Sequence, residues 1–380
     1  VYMQLAEAIL RSIVFFYRSL CGAGVLFAAL AASAGAPDDP SRTVAAQLET
    51  VRTSSQMPWN AVAVDSRSRI IVSAPIWAGN IGPAVAVAEP DGALIPWPSR
   101  EWNSWRPGAD ATHTFVSVNA LHVDADGSFW VVDTGAPLFG GAIVPGGAKV
   151  VHVDANDDKV LRIYPIPAAA LRANSYVDDI RLNGRRAYLT DAGAGALMVL
   201  NLDSGAVRRR FDDEHFTKAR PEDLIVVNGK VLSAPDGAPL HVNADDLELS
   251  VDGRYFYFAP LSGPMYRIET RYLDDETLAD AQLAQHVVKW FDLPAVGGTA
   301  MARDGTLYYT QLDENALMRR SPDGSVALVA RDSRLRWVDA PFLDGKGNIY
   351  LPAAQLDGAA VFNNGRSTMK MPIHLYKLKL

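Results

Sequence analysis

At 380 residues with 49% apolar composition, the chain is long enough for a large core, and length alone would allow two or three domains. A formal net charge of −7 and a pI near 5.5 supply no basic field for nucleic acid or for an anionic membrane surface, so both partners are set aside. The single cysteine, Cys21, excludes a disulfide framework and paired-cysteine metal sites.

In chain order, Arg11 and Arg18 precede the small, apolar run 20–31, and Ala32-Ser33-Ala34 offers a cleavage site before Gly35. This is the pattern of a secretory signal peptide over residues 1–34; an uncleaved anchor or a core helix is the other reading of the run. The leader places the chain outside the cytoplasm, secreted or periplasmic, and takes Cys21 with it. No other run is long and apolar enough to span a bilayer. Residues 35–42 form a solvated linker, and 43–380 carry the fold.

That fold is written as a repeat. Residues 119–135 read N-A-L-H-V-D-A-D-G-S-F-W-V-V-D-T-G: a short alternating strand, an Asp/Gly turn and a β-rich return strand. The pattern occurs six times, each time opened by a polar residue: Asn60, Asn119, Asp178, Asp245, Thr299 and Asp339. Return strands are predicted at 70–72, 129–132, 187–189, 255–258, 307–309 and 349–351. Spacings of roughly 40 to 67 residues between anchors, with glycine turns and aromatic strands, are those of propeller blades. Second hairpins follow at the turns near Gly92, Asp158, Gly205 and Gly324. The last stretch, 375–380, has no partner after it, so 44–51 is expected to complete the sixth blade. The predicted fold class is therefore all-β, a six-bladed β-propeller closed by pairing of N- and C-terminal strands, which removes exposed sheet edges. Two inserts break the rhythm: 97–115, rich in tryptophan, and 272–289, which has the composition of a short exposed helix.

In a propeller the first strand of each blade lines the central channel. The six anchors are thus expected to converge at one mouth, joined from the return strands by Asp133 and Asp191. Carboxylates about 8 Å apart at an effective dielectric of about 20 repel by roughly 2 kcal/mol per pair. Relief would come from Ca²⁺ held by Asn60, Asn119, Asp178 and Asp245, from raised carboxyl pKa values, or from a cationic ligand. The plain alternative is that these residues cap backbone N–H groups at strand starts. Asp179, Arg181, Asp246 and Glu248 fall on the opposite strand face, where Arg181 would make an ion pair between blades. Trp102 and Trp105 are either inter-blade core or a wall for an aromatic ligand, and Trp130 is blade core. The histidines lack metal spacing, and neither a nucleophile elbow nor a phosphate loop occurs.

Several stretches together resemble the major royal jelly protein and yellow family: L-I-P-W-P-S-R-E-W-N (94–103), V-D-A-D-G-S-F-W-V-V-D-T-G (123–135), A-Y-L-T-D-A-G (187–193), L-S-V-D-G-R-Y-F-Y-F-A-P-L-S (249–262), Y-R-I-E-T (266–270) and L-R-W-V-D (335–339). They follow the family's order and cover about residues 50–355. The resemblance implies a secreted six-bladed propeller. Family members include insect proteins of dopachrome conversion, salivary proteins that bind biogenic amines in the central cavity, and nutritive or structural proteins. The chain departs from the insect pattern in having no cysteine after position 21 and in its bacterial style of leader.

The reading that follows is a secreted or periplasmic propeller binding a small aromatic or cationic molecule. Asp133, Asp178, Asp191, Asp245 and Asp339 would attract the charge, and Trp102 or Trp105 would stack on a ring. Two enzymatic alternatives stand beside it: a calcium-dependent, gluconolactonase-like hydrolase built on Asn60, Asn119, Asp178 and Asp245, and a dopachrome-type tautomerase with a mouth carboxylate as base. The sequence singles out no catalytic residue, and Ca²⁺ is the one cofactor it suggests.

Overall fold

The computed structural model describes residues 48–380. The expected leader, Cys21, the linker and residues 43–47 lie outside the described residues.

Six antiparallel sheets of four strands succeed one another along the described residues. Blade 1 comprises Ala61–Val64, Ile70–Ser73, Val85–Ala88 and Leu94–Pro96; blade 2 comprises Val118–Val123, Phe129–Asp133, Lys149–Asp154 and Lys159–Pro165. Blade 3 is Val177–Asn183, Arg186–Asp191, Ala196–Asn201 and Val207–Arg210, and blade 4 is Ala244–Leu249, Tyr255–Pro260, Met265–Glu269 and Val288–Phe291. Blade 5 is Val296–Met301, Leu307–Gln311, Ala316–Arg320 and Val326–Arg331. Blade 6 takes Phe342–Leu343, Asn348–Ala353 and Ile373–Lys379 from the C-terminal end, and Glu49–Ser54 from the other end as its outermost strand. The ring is a six-bladed β-propeller closed by its two ends, and a Lys377–Glu49 ion pair of 2.7 Å lies on the seam. The closing strand is Glu49–Ser54, a few residues later than the segment expected from the sequence.

The repeated Asp-Gly turns share one geometry. Gly92, Gly127, Gly253, Gly305 and Gly324 all sit at positive φ, and each donates its N–H to the carbonyl three residues back. The aspartate just before the glycine accepts the N–H two residues further on, as in Asp126–Ser128, Asp304–Thr306 and Asp323–Ser325. An Asx turn closed by glycine sets hairpin length, and hairpin length fixes which face of each strand is buried.

Between the blades pack clusters of Val, Leu, Ala and aromatic side chains. Trp130 is buried and stacks on His152 at 4.0 Å. The tryptophan-rich insert folds onto blade 2: Trp97 packs on Phe129 at 5.1 Å, and its indole N–H donates to Asp158 at 2.7 Å. The second insert forms helices α1 (Thr270–Asp274) and α2 (Asp280–Leu283). It is not simply exposed, because Leu273 and Leu283 are fully buried in the core beside blade 4.

The innermost strands of blades 2 to 5 all break register near their starts: between Val118 and Ala120, Val177 and Ile180, Ala244 and Leu247, and Val296 and Thr299. The residues inside these irregularities are Asn119, Asp178 with Asp179, Asp245 with Asp246, and Gly297 with Gly298. A bulge releases residues from the ladder and re-aims their side chains. In blade 5 glycine is required, because a Cβ on Gly298 would lie 2.3 Å from the carbonyl oxygen of Asp339.

Candidate functional site

The bulges deliver their side chains into one cavity of about 290 Å³ at the mouth of the channel. Asn60, Asn119, Asp178, Asp245, Thr299 and Asp339 all line it, so the six anchors are brought together. Asp179 and Asp246, expected on the opposite strand face, line it too, because the bulge turns both members of each Asp-Asp doublet inward. A second cavity of about 300 Å³ lies among further channel-lining residues, including His122, Arg181 and Glu248; the two share Asp179, Thr299 and Ala340. Burial, with help from Arg181, pushes the His122 imidazole down to about 3.

A directed hydrogen-bond chain crosses the mouth. The indole N–H of Trp77 donates to Tyr176 Oη (2.9 Å), Tyr176 Oη donates to Asn119 Oδ1 (2.9 Å), and Asn119 Nδ2 donates to Asp178 Oδ1 (2.5 Å). Asn60 Nδ2 donates to the carbonyl and side-chain oxygens of Asn119 at 3.0 and 3.2 Å. Asp245 lies on the same cavity wall and helps to raise the Asp178 carboxyl. On the far side Arg181 takes Asp179 at 2.7 Å and Glu248 at 3.1 Å, bridging blades 3 and 4 as an ion pair, and Thr299 Oγ1 donates to Glu248 at 3.0 Å.

Arg181 is thereby spent on Asp179 and Glu248. Among the described residues the cavity lining holds five aspartates and, apart from the exposed His241, no basic residue. Burial, reinforced by Asp245, holds the Asp178 carboxyl well above the usual range; burial, then Asp245 and Asp339, does the same to Asp246. Asp339 is raised well above its ordinary value by burial and by Asp245, and Asp245 is raised by burial. The Tyr176 phenol is also pushed up, by burial and then by Asp178. Among the described residues two buried acceptors here have no protein partner, Asp246 Oδ2 and Asn60 Oδ1.

The roof is aromatic. Trp77, Phe139 and Phe362 meet edge to face, with ring centroids 5.0 Å (Trp77–Phe139), 5.9 Å (Trp77–Phe362) and 5.0 Å (Phe139–Phe362) apart. Trp337, Leu356 and Leu261 add apolar wall.

Four predicted ligand-binding residues lie elsewhere. Asp133 is fully buried within blade 2 and accepts from the N–H groups of Val116, Ser117 and Gly135 and from Lys149 Nζ at 2.7 Å. Asp191 is the blade 3 counterpart, holding the N–H groups of Tyr176 and Ala194, the Ser175 hydroxyl and Arg209. The second strand of a blade runs a full strand spacing, about 4.8 Å, farther from the channel than the first, so its terminal aspartate meets its own blade's loops instead of the mouth. Trp102 packs against Phe115 at 4.9 Å, and Trp105 is buried beside Ala111 and Val116; neither lines the cavity. The residues that do form the wall, Trp77, Tyr176, Trp337, Phe139 and Phe362, come from loops outside the repeat. The one signal for the enlarged acidic set was the Asp-Asp doublet at two anchors.

Asn60, Asn119, Asp178 and Asp245 form a contiguous row. Asn119 Oδ1 is already taken by Tyr176 and Asn60, and among the described residues no group of three or more His, Cys, Asp or Glu is arranged to hold a metal.

Residues 116–359 match the family model described as major royal jelly protein. The chain belongs to that family. The match takes in the bulged strands of blades 2 to 5 and Asp339, while Asn60, Trp77 and Phe362 of this royal jelly family member fall outside it. No curated protein matches the sequence. Among solved structures, the fold is similar to a gluconolactonase, XC5397 from Xanthomonas campestris, with 12% identity over 88% of this chain and 89% of that one and a TM-score of 0.50. It is also similar to virginiamycin B lyase from Staphylococcus aureus, with 12% identity over 88% and 99% of the two chains and a TM-score of 0.48. At these identities the likeness is one of fold.

Proposed function

We propose that this royal jelly family member is a secreted or periplasmic protein that binds a small aromatic cation at the mouth of its channel. The observation that carries the reading is the charge balance of the cavity. Asp178, Asp245, Asp246 and Asp339 share it without a basic partner, since Arg181 is engaged by Asp179 and Glu248. A ligand ammonium would relieve that repulsion and find acceptors in Asp246 Oδ2 and Asn60 Oδ1,. Trp77, Phe139 and Phe362 offer ring faces and edges for an aryl group, with the cation held below,.

Titration calorimetry with tyramine, 4-ethylphenol and ethylamine separates the two halves of the ligand. Tyramine is expected to bind at least about tenfold more tightly than either fragment, a difference of about 1.4 kcal/mol. Asp245→Asn should weaken tyramine and leave 4-ethylphenol unchanged. Equal affinity for tyramine and its neutral analogue would refute the reading. Calcium that raises the melting temperature, with reversal by chelator, would favour the hydrolase instead.

The tautomerase alternative draws on Asp178 and Asp245 lining one cavity wall, where one carboxyl would give a proton while the other accepts one,. Catalysed loss of dopachrome absorbance, abolished by Asp178→Asn, is the result that would support it.

A further inference from the structure

The loop that joins the second and third strands of blade 2, residues 134–148, roofs the cavity with Phe139, Gly140 and Gly141. Its base is fixed. Thr134 donates both its N–H and its hydroxyl to the carbonyl of Ser117, at 3.0 Å each. The buried Asp133–Lys149 pair holds both sides of the neck, Asp133 accepting the Gly135 N–H at 3.0 Å and Lys149 Nζ donating to the Gly147 carbonyl at 2.9 Å. The two sides touch so closely that a Cβ on Gly135 would fall 2.3 Å from the backbone nitrogen of Ala148. Val144 N–H closes the neck onto the Gly135 carbonyl at 2.8 Å.

Beyond that neck the character changes. Among the described residues no hydrogen bond or ion pair ties 137–143 to any segment outside the loop; the Gly141 N–H bonds only to Leu138 within it. The tip turns through Gly140, at φ +65°, and Leu138 is 67% exposed. Phe139 makes ring contacts across the mouth, with Trp77 from the loop after blade 1's second strand and with Phe362 from blade 6. A clamped neck, an untethered tip and an apolar seat on two other blades are the parts of a lid.

The geometry points to residues 137–142 as a lid over one side of the channel mouth, latched by Phe139 between Trp77 and Phe362, whose lifting widens the entry for a solute. This holds for any small ligand of the cavity and does not depend on the charge of that ligand. Asp133 acquires a role in it: the residue expected at the mouth from the sequence anchors the lid's neck instead.

The test measures access to the cavity without needing its natural ligand. Ala192→Cys in a Cys21→Ser background places one thiol on the wall of the mouth cavity and not of the second cavity, and the rate of its reaction with 4,4′-dithiodipyridine, a neutral aromatic disulfide, is followed by absorbance. Phe139→Ala, which removes the latch, should speed labelling about tenfold, the scale of two lost aromatic contacts. Gly140→Ala is the decisive variant. A Cβ there meets nothing within 4 Å, yet it disfavours the positive φ of the closed turn, so a lid opens more often and labelling quickens several-fold. A fixed wall predicts the same or slower labelling, because a methyl group has been added at the opening. An unchanged or slower rate in Gly140→Ala, with the melting transition intact, overturns the lid. Phe139→Leu, the milder latch change, replaces Phe139→Ala should the latter not melt cooperatively, with labelling faster than in the unaltered loop; an equal rate overturns the latch.

Discussion

Asp246→Asn should stabilise the protein at neutral pH and do little in acid. Asp246 is 7% exposed, its Oδ2 has no partner, and burial together with Asp245 and Asp339 raises its carboxyl well above the ordinary range. The folded protein therefore binds a proton at this site that the unfolded chain has already lost, across the window from the ordinary carboxylate range up to the raised native value. In that window the native state holds more protons than the unfolded state, so stability falls as pH rises through it. Each unit by which folding raises such a pKa costs about 1.4 kcal/mol once both states are ionised, and leaving a buried acceptor unsatisfied costs about 1–3 kcal/mol. Replacement by the isosteric, uncharged amide removes the charge term. The expected gain is about 1–3 kcal/mol at pH 8, shrinking toward zero at pH 4, which on a chain of this size moves Tm by a few degrees. Thermal or urea unfolding of the two proteins at several pH values measures the difference directly. A loss of stability of equal size at pH 4 and pH 8 would refute the reasoning, since it would mean that Asp246 is satisfied and ionised in the native state.

Two further outcomes follow from the fold. Lys149→Met should destabilise by about 3–5 kcal/mol, because Asp133 would be left charged and fully buried with only backbone donors; denaturant unfolding checks this, and a change under about 1 kcal/mol would contradict it,. Truncation to begin at residue 55 removes Glu49–Ser54 and bares the edge of Ile373–Lys379, so the product should aggregate,; a monomeric, cooperatively melting truncation on size exclusion and calorimetry would sink that expectation.

Much of this protein is legible without coordinates. Five of the six anchor hairpins turn on a glycine at positive φ, Gly127, Gly184, Gly253, Gly305 and Gly345, and blade 1 places Ser68 there instead; these are local interactions that a short peptide already encodes. Blade number, return strands and ring closure follow from that repetition, as does the convergence of Asn60, Asn119, Asp178, Asp245, Thr299 and Asp339. The nonlocal features were not legible. Strand alternation put Asp246 away from the mouth and gave Asp179 to Arg181 alone, whereas Asp246 lines the mouth cavity and Asp179 reaches both cavities, because a bulge depends on how the neighbouring strand pairs. Asp133 and Asp191 look like mouth residues in a hairpin diagram, yet they lie one strand out and are consumed by Lys149, Arg209 and backbone N–H groups. Trp102 and Trp105 left inter-blade core and a ligand wall both open, and they pack as core; the wall is Trp77, Phe139 and Phe362, drawn from loops on three different blades whose meeting no periodicity records. A ring of polar anchors around a channel is readable from the residues alone, since hairpin chemistry acts over a few residues. Which carboxylates stay without a partner and which aromatic rings close over them depends on residues far apart in the chain meeting across the ring, and so on the folded molecule.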